Sequence, residues 1–345
     1  MEHAVSDDMS PKKVYDKRRI TIVRRLTFAA ISWAALAPAI SAQSVSRHTS
    51  LRIGLVTAGD ANIPPGSASV ARGVRMGAAE SKQTAALFGD DVELYEADGG
   101  GAAAVTAAER LLSARQVQVV IAISAADADI LSKFAESHHI LFFNAASRSQ
   151  ALRAACRRYT FHVEATDAMY ANAAQAARIW PETMSANASV STERPDRDSV
   201  TLWGPSLQRF GASQLNDRYR DRYHLGMDGF AWAGWAAVKI ATEAALRARS
   251  TSPAKLVAYL ESPATQFDGH KGWSLTFRRT DHQLRQPLYV ARLQGAGGYR
   301  YIDVPELRDD SSLGAPGNSG SRTPYRMLDS LMASPGARTC RWLST

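Results

Sequence analysis

The chain has 345 residues, 45% of them hydrophobic and 21% charged, a composition that excludes disordered and collagen-like proteins. A formal charge of +8 is mild, and the basic residues are not clustered with aromatics, so no nucleic-acid partner is expected. Two cysteines exclude a disulfide framework and a four-ligand zinc site.

The first 42 residues have the order of a secretory signal peptide. A basic stretch, 17–25, precedes an apolar run, 26–40, and small residues end the segment. The run is shorter than the roughly 20 residues that span a bilayer, and no later run is long enough either. The sequence predicts a signal peptide over 1–42, export to the periplasm, and a mature protein that is not membrane-embedded. The segment carries +3 of the net charge of +8, so the rest of the chain carries +5.

The next hundred residues alternate between strand and helix patterns. Four strands are predicted, at 51–57, 91–97, 117–123 and 140–143. Three amphipathic helices are predicted between them, at 69–82, 102–115 and 125–138. This order indicates an α/β fold in which helices flank both faces of a parallel sheet.

Ligands bind such sheets beyond the carboxyl ends of the strands. The candidate ligand-binding residues follow three of these strands and one later strand, 200–203. They are Thr57, Asp60, Ser124, Ala125, Ala126, Asn144, Ser147 and Trp203.

Two of these groups suggest specific chemistry. Ser124 would cap the helix at 125–138, with Asp127 at capping-box spacing, and a carboxylate ligand would bind the backbone amides there. Asn144 and Ser147 would hold an ammonium or carboxylate group, and Trp203 would stack on the ligand. The alternative for each is a structural role, as an N-cap, a turn residue or a packed aromatic.

Later elements follow a looser pattern. Four helices are predicted, at 167–179, 206–223, 228–249 and from 252 onwards. Two late strands are predicted, at 273–277 and 288–293. A loop is predicted at 181–198, and the Ser-, Gly- and Pro-rich composition predicts a loosely ordered tail over 306–345.

Several segments together carry a family resemblance. The opening Arg52-Ile-Gly-Leu-Val56, the three βα units and Tyr159-Thr-Phe-His-Val163 resemble the type I periplasmic solute-binding proteins of ABC importers, in the branched-chain amino-acid-binding group. Four later segments are similar to a subgroup associated with PQQ-dependent alcohol catabolism. They are Arg209–Asn216, Trp232–Trp235, Phe267–Gly272 and His282–Leu288.

The resemblance implies a two-lobed fold with a hinge of crossing strands near 159–164 and 288–293. A small solute, an amino acid or a compound related to alcohols or acids, would bind between the lobes and pass to the importer's permease subunits. Lobe one would comprise 51–160 and 228–284, and lobe two 161–227 and 285–305. No catalytic residue, metal or cofactor is implied.

Lobe two departs from this pattern, because only about 60 residues separate the first crossing from the returning helix. A shortened lobe two is therefore predicted, and small lobes bury little surface. One alternative function is a non-transporting sensor or interaction protein derived from this fold. A Rossmann-type oxidoreductase is a further alternative, disfavoured by the signal peptide and by a first strand–helix turn that lacks GxGxxG spacing.

Two remaining features concern cysteines and basic residues. Cys156 and Cys340 would pair in an oxidising compartment, and the sequence leaves this open. A basic cluster, defined as Arg148, Arg153, Arg157 and Arg158, is interpreted as a solvated face, with a docking surface for acidic groups as the alternative.

Overall fold

The computed structural model describes residues 48–58, 63, 65–177, 198–294, 298–303, 328–329, 332 and 340–341. The signal-peptide prediction for 1–42 and nearly all of the loop predicted at 181–198 lie outside these residues. All the described residues belong to one compact unit, Ser46–Thr345. None of the described helices is long and apolar enough to cross a membrane.

Five strands form a parallel sheet in the order β2-β1-β3-β4-β5. Their bounds are Ser50–Thr57 for β1, Asp91–Asp98 for β2, Val119–Ala122 for β3, Leu141–Asn144 for β4 and Thr160–His162 for β5. β3 and β4 are buried along their whole length, because apolar side chains point to both faces and helices cover both. The predicted α/β fold with a parallel sheet is confirmed.

Helices lie on both faces of this sheet. The first five are Pro65–Ala86 (α1), Ala104–Arg115 (α2), Ala128–His138 (α3), Gln150–Ala154 (α4) and Asp167–Ala176 (α5). The next three are Ala212–Tyr223 (α6), Gly229–Ala248 (α7) and Pro253–Glu261 (α8). Ile53 of β1 belongs to a core that includes α1 and α7, and Val120 of β3 belongs to a second core with α2 and α3. The two cores lie on opposite faces because successive strand residues alternate in direction.

Two smaller sheets contain the remaining strands. These strands are Ser199–Thr201 (β6), Phe267–Asp268 (β7), Ser274–Phe277 (β8), Leu284–Arg285 (β9), Tyr289–Gln294 (β10) and Gly298–Asp303 (β11). One sheet has the order β11-β10-β6 and the other β7-β8-β9, all antiparallel. The fold is the two-lobed α/β arrangement. The lobe boundaries and the shortening of lobe two remain predictions.

The segment before β9 lies beside the last strand of the parallel sheet. His162 of β5 pairs with Gln283, and its amide donates to the carbonyl of His282 at 2.9 Å. Gln283 Nε2 donates to the carbonyls of His162 and Glu164 at 3.2 and 3.0 Å. Residues 119 to 121 positions apart along the chain are thus held together by buried hydrogen bonds.

A fully buried lysine joins two of the late segments. Lys271 Nζ donates to the carbonyls of Leu202 and Pro287 at 2.8 and 3.1 Å and to Gln286 Oε1 at 3.0 Å. It also lies 3.8 Å from the centre of the Trp232 ring, a cation–π distance. Burial lowers the pKa of Lys271 well below its ordinary value. These contacts indicate that Lys271 has a structural role, because its ammonium group bonds three acceptors inside the protein.

The helix predicted at 206–223 begins at Ala212 instead. Phe210 and Gly211 have φ angles of 58° and 80°, in the left-handed region that a right-handed helix cannot contain. The chain up to Gly211 therefore forms a short 3₁₀ turn before α6 starts.

A disulfide connects Cys156, between α4 and β5, to Cys340 near the end of the chain. The amide of Cys340 also donates to the carbonyl of Thr280 at 2.8 Å. Of the described residues in the predicted loose tail, Leu328, Met332 and Cys340 are buried. The part of the tail that the structure describes is thus packed against the body of the fold.

Candidate functional site

The carboxyl ends of β1, β2 and β3 meet at one edge of the sheet. Thr57 Oγ1 donates to the carboxylate of Asp98, its partner across the β1–β2 pair. The amide of Gly101 donates to Asp127 Oδ1 at 2.8 Å, which joins the residues after β2 to those after β3. The parallel register therefore places the carboxyl ends of these three strands at one edge of the sheet.

The turn after β3 differs from the predicted capping box. The helix begins at Ala128, with Asp127 as its N-cap residue, so the prediction that Ser124 caps a helix over 125–138 is wrong. The carboxylate of Asp127 is held by Gly101, and Ser124 Oγ accepts from the amide of Ala126 at 3.2 Å. Ala125 and Ala126 are exposed residues of this turn.

Asn144 and Ser147 form the turn after β4 and are buried. Asn144 Oδ1 accepts from the amides of Ala146 and Ser147 at 3.3 and 2.8 Å, and its Nδ2 donates to the carbonyl of Ser147 at 2.8 Å. The Nδ2 group also lies 3.3 Å from Nδ1 of His162. The Asn144 carboxamide therefore stabilises its own turn through these hydrogen bonds.

Trp203 is 1% exposed and lies in the core. Its ring stacks on Trp232, with centroids 6.0 Å apart, and its Nε1 donates to Asn216 Oδ1 at 2.8 Å. In this structure the indole therefore has no face available to a ligand. Asp60, the remaining predicted site residue, lies outside the described residues.

A second set of polar residues at this edge was not predicted as a site. We call it the Arg148 cluster, comprising the polar residues Arg148, Glu164 and Tyr170 together with the ring of Phe230. Glu164 is 1% exposed and accepts from Tyr170 Oη at 2.8 Å. Burial raises the pKa of Glu164, and that of Tyr170 is raised well above its ordinary value for the same reason.

Arg153 supports this cluster from inside the protein. It is 1% exposed and donates to the carbonyls of Ser147 and Glu164 at 2.7 and 2.6 Å and to Gln283 Oε1 at 3.0 Å. Burial lowers the pKa of Arg153 to about 10. The interpretation of the basic cluster as a solvated face is wrong for Arg153. The run of arginines was the sequence signal here, but nothing in the sequence separated the one buried member from the three that are partly exposed.

Two surface cavities lie in the later part of the chain, with volumes of about 430 and 300 Å³. Phe210 and residues of the 266–274 segment line the first, and Arg209, Lys271 and Tyr301 are among the residues lining the second. No predicted site residue lines either cavity. Within the described ranges no group of three or more His, Cys, Asp or Glu side chains is arranged to hold a metal ion.

A family model described as periplasmic binding protein matches residues 50–179 and 198–298, two thirds of the chain. The chain belongs to the periplasmic binding protein family. The predicted family is thus confirmed, whereas the subgroup associated with PQQ-dependent alcohol catabolism stays a prediction. No curated protein matches this periplasmic binding protein in sequence.

Solved structures share the fold at low sequence identity. A leucine-binding protein, LivK, from Thermotoga maritima has a TM-score of 0.54 and 13% identity, with 73% of this chain and 97% of the other covered. LivJ from Streptococcus pneumoniae, solved with isoleucine, has a TM-score of 0.57 and 11% identity over 74% and 100%. A solute-binding protein from Rhodopseudomonas palustris, solved with benzoate, has a TM-score of 0.58 and 14% identity over 74% and 96%.

These neighbours are binding proteins rather than enzymes, and at such identities the likeness establishes the fold alone. Rossmann-type oxidoreductases have the same βαβ pattern as this periplasmic binding protein. The pattern is explained by the periplasmic binding protein fold and by itself indicates no oxidoreductase activity.

Proposed function

We propose that this protein is the exported solute-binding component of an ABC-type importer. It holds a small organic solute, an amino acid or a compound related to alcohols or acids, in the cleft between its lobes. Permease subunits in the membrane receive the solute. The protein has no catalytic role in this proposal and needs no cofactor.

The observation that carries the proposal is the family match, which spans segments on both sides of the predicted hinge. The geometry supports it, because the carboxyl ends of β1, β3 and β4 lie at the same edge of one parallel sheet. In this proposal the exposed residues Ala125 and Ala126 contact the solute, and Thr57, Ser124, Asn144 and Ser147 belong to the same candidate site.

Periplasmic location is supported from two directions. A signal peptide is predicted over 1–42, and the structure contains a disulfide, which forms and persists in oxidising compartments. Both fit a protein that works outside the cytoplasm.

The test is thermal unfolding and titration calorimetry of the mature chain against amino acids, alcohols and short organic acids. Binding of one solute class with micromolar affinity, raising Tm as ligand concentration rises, is the expected result. NAD serves as the control ligand for the oxidoreductase alternative. Binding of NAD without binding of any solute would contradict the proposal.

A second candidate function is a non-transporting sensor or interaction protein. The observation that favours it is that Thr57 and Asn144 use their polar groups on other protein residues, and that Trp203 is buried. Failure of every solute class to bind, together with retention of a folded protein, would support this function instead.

A further inference from the structure

An exposed aromatic ring lies between the two surface cavities. Phe210 is 53% exposed and lines both the larger cavity, of about 430 Å³, and the smaller cavity, of about 300 Å³. No described member of the predicted solute site lines either one. Small-molecule sites usually have volumes of roughly 300–1,000 Å³. Both cavities are therefore in the size range of a ligand site, and both lie outside the candidate solute site.

The fold holds Phe210 in an unfavourable position. Its φ of 58° lies in the left-handed region that bulky residues seldom adopt, and its ring is not buried in return. Gly272 makes room for this ring, since a Cβ there would lie 2.4 Å from it. Residues in such conformations cluster at ligand-binding sites, where the surrounding structure keeps them in place. The exposed ring is thus a candidate surface on which a ligand stacks.

Two tyrosines form an aromatic wall of the smaller cavity. Tyr299 and Tyr301 alternate along β11 and so point to the same side, with ring centroids 6.5 Å apart. Tyr301 packs against Gly204, where a Cβ would lie 2.1 Å from its ring. The buried Asn216 donates to the carbonyls of Gly204 and Leu207 at 3.1 and 3.0 Å. This wall is therefore fixed by the fold before a ligand arrives.

Arginines border the smaller cavity. The guanidinium carbon of Arg209 lies 4.7 Å from the centre of the Phe210 ring. Arg300 also lines the cavity, is exposed, and makes no hydrogen bond or ion pair with another described residue. It lies directly opposite Arg292 across the β10–β11 pair. Like charges in this arrangement destabilise a strand pair, so a bound anion would offset their repulsion.

The other titratable groups of the smaller cavity do not oppose an anion at its rim. Asp303 is 7% exposed, accepts from Trp273 Nε1 at 2.7 Å and interacts electrostatically with the buried Lys271. Burial raises the pKa of Tyr301 to about 12, so its phenol stays neutral. The exposed charge at the rim is therefore positive.

We propose that the smaller cavity is a second ligand site, which binds a planar aromatic compound with an anionic substituent. The aromatic ring stacks among Phe210, Tyr299 and Tyr301, and the anionic group lies at the rim with Arg209 and Arg300. This site is separate from the candidate solute site and does not depend on the proposed transport function.

The first experiment separates the contributions of ring and charge. Phenyl phosphate and 1-naphthyl phosphate are titrated into the mature wild-type protein by calorimetry, beside cyclohexyl phosphate, inorganic phosphate and benzyl alcohol. We expect saturable binding of at least one aryl phosphate, and at least 3-fold weaker binding of each comparison compound, because each lacks the aromatic ring or the charge. If neither aryl phosphate binds, or if cyclohexyl phosphate binds as tightly, the proposal is overturned and the solute-binding function is unaffected.

Substitutions then locate the bound compound. Phe210→Leu keeps an apolar side chain and removes the ring, so the aryl phosphate should bind roughly 3- to 10-fold more weakly, the range of one aromatic pair. Arg300→Gln should weaken binding about 2- to 5-fold, as expected for an exposed charge pair. Phe88→Leu, at another exposed phenylalanine, and Arg220→Gln, at another exposed arginine, are the matched controls and should leave the affinity unchanged.

The variants also distinguish this cavity from the candidate solute site. An aryl phosphate that binds Phe210→Leu and Arg300→Gln as tightly as the wild type would be bound elsewhere, and the proposal would be overturned. Thermal unfolding checks that each variant is folded. Should Phe210→Leu not fold, Tyr299→Leu removes a second ring of the same cavity. Full affinity in a folded Tyr299→Leu variant would then overturn the proposal.

Discussion

At the residue scale, the buried polar side chains of the sheet edge hold turns in place. Asn144 bonds two amides and one carbonyl of its own turn, and Arg153 bonds carbonyls on both sides of β5. A buried backbone group without a partner costs free energy comparable to a lost hydrogen bond. These side chains therefore determine stability directly, whatever their part in binding.

Asn144→Ala should lower the free energy of unfolding by about 1–3 kcal/mol, because the amides of Ala146 and Ser147 lose their acceptor in a buried turn. Urea unfolding at neutral pH measures this loss. Ser147→Ala, in the same turn, removes only a hydroxyl that accepts at 3.4 Å, and we expect a change of less than about 0.5 kcal/mol. Equal effects of the two substitutions would contradict this reading of the turn.

His162 should make stability depend on pH. Burial lowers its pKa well below the ordinary value of 6.5, so the folded protein keeps this imidazole neutral. The unfolded chain takes up a proton near pH 6.5, so the stability that the neutral imidazole contributes is full above that pH and is lost as the pH falls below it. From this residue alone we expect a loss of about 1.4 kcal/mol between pH 7.5 and pH 5.5.

The measurement is urea unfolding of the wild type and of His162→Gln at both pH values. The variant should show a smaller loss on acidification, since it lacks the group that titrates. Identical losses in the two proteins would show that His162 does not carry the effect.

At the element scale, the packing of α1 on α7 depends on glycines at the contact. A Cβ at Gly73 would lie 1.9 Å from the carbonyl oxygen of Ala231, and one at Gly234 would lie 2.4 Å from that of Val70. Backbone at such distances leaves no room for a methyl group. The two helices therefore approach closely because both carry glycine at the crossing, which periodicity alone did not reveal.

Gly73→Ala should destabilise the protein although alanine favours helix over glycine by about 1 kcal/mol. The methyl group would force the helices apart, and overpacking of this kind costs about 1–3 kcal/mol or more. Thermal unfolding should show a lower Tm. Lys82→Ala, an exposed change on the same helix, serves as the control and should leave Tm within about 1–2 °C. A stabilised Gly73→Ala variant would mean that the helix contact is looser than the structure shows.

At the scale of the whole molecule, the disulfide joins residues 184 positions apart and holds Cys340 beside Cys156, which lies between α4 and β5. Arg285 pairs with Asp329 at 2.7 Å, and Leu328 and Met332 are buried, so the link is accompanied by packing. A cross-link that closes a long loop restricts the unfolded chain strongly.

Replacing both cysteines, Cys156→Ser with Cys340→Ser, should lower the free energy of unfolding by about 2–5 kcal/mol. Treatment of the wild type with dithiothreitol should lower Tm in the same direction, and should leave the double variant unchanged. An unaltered Tm of the reduced wild type would argue against a stabilising disulfide.

The sequence by itself determined the alternation of strands and helices, the parallel sheet and the family resemblance. These depend on local patterns: apolar runs buried on both faces, 3.6-residue periodicity and short motifs along the chain. It also placed Thr57, Ser124 and Asn144 at strand ends, where the parallel register brings such residues to one edge.

Only the tertiary structure decided what those residues contact. The burial of Trp203 and Arg153, the glycine contact between α1 and α7, and the pairing of Cys156 with Cys340 all join positions far apart in sequence. The bond between Gly101 and Asp127, the N-cap residue of α3, likewise joins positions 26 residues apart. Such contacts depend on how elements pack in three dimensions, and a local pattern carries no information about the partner across the fold.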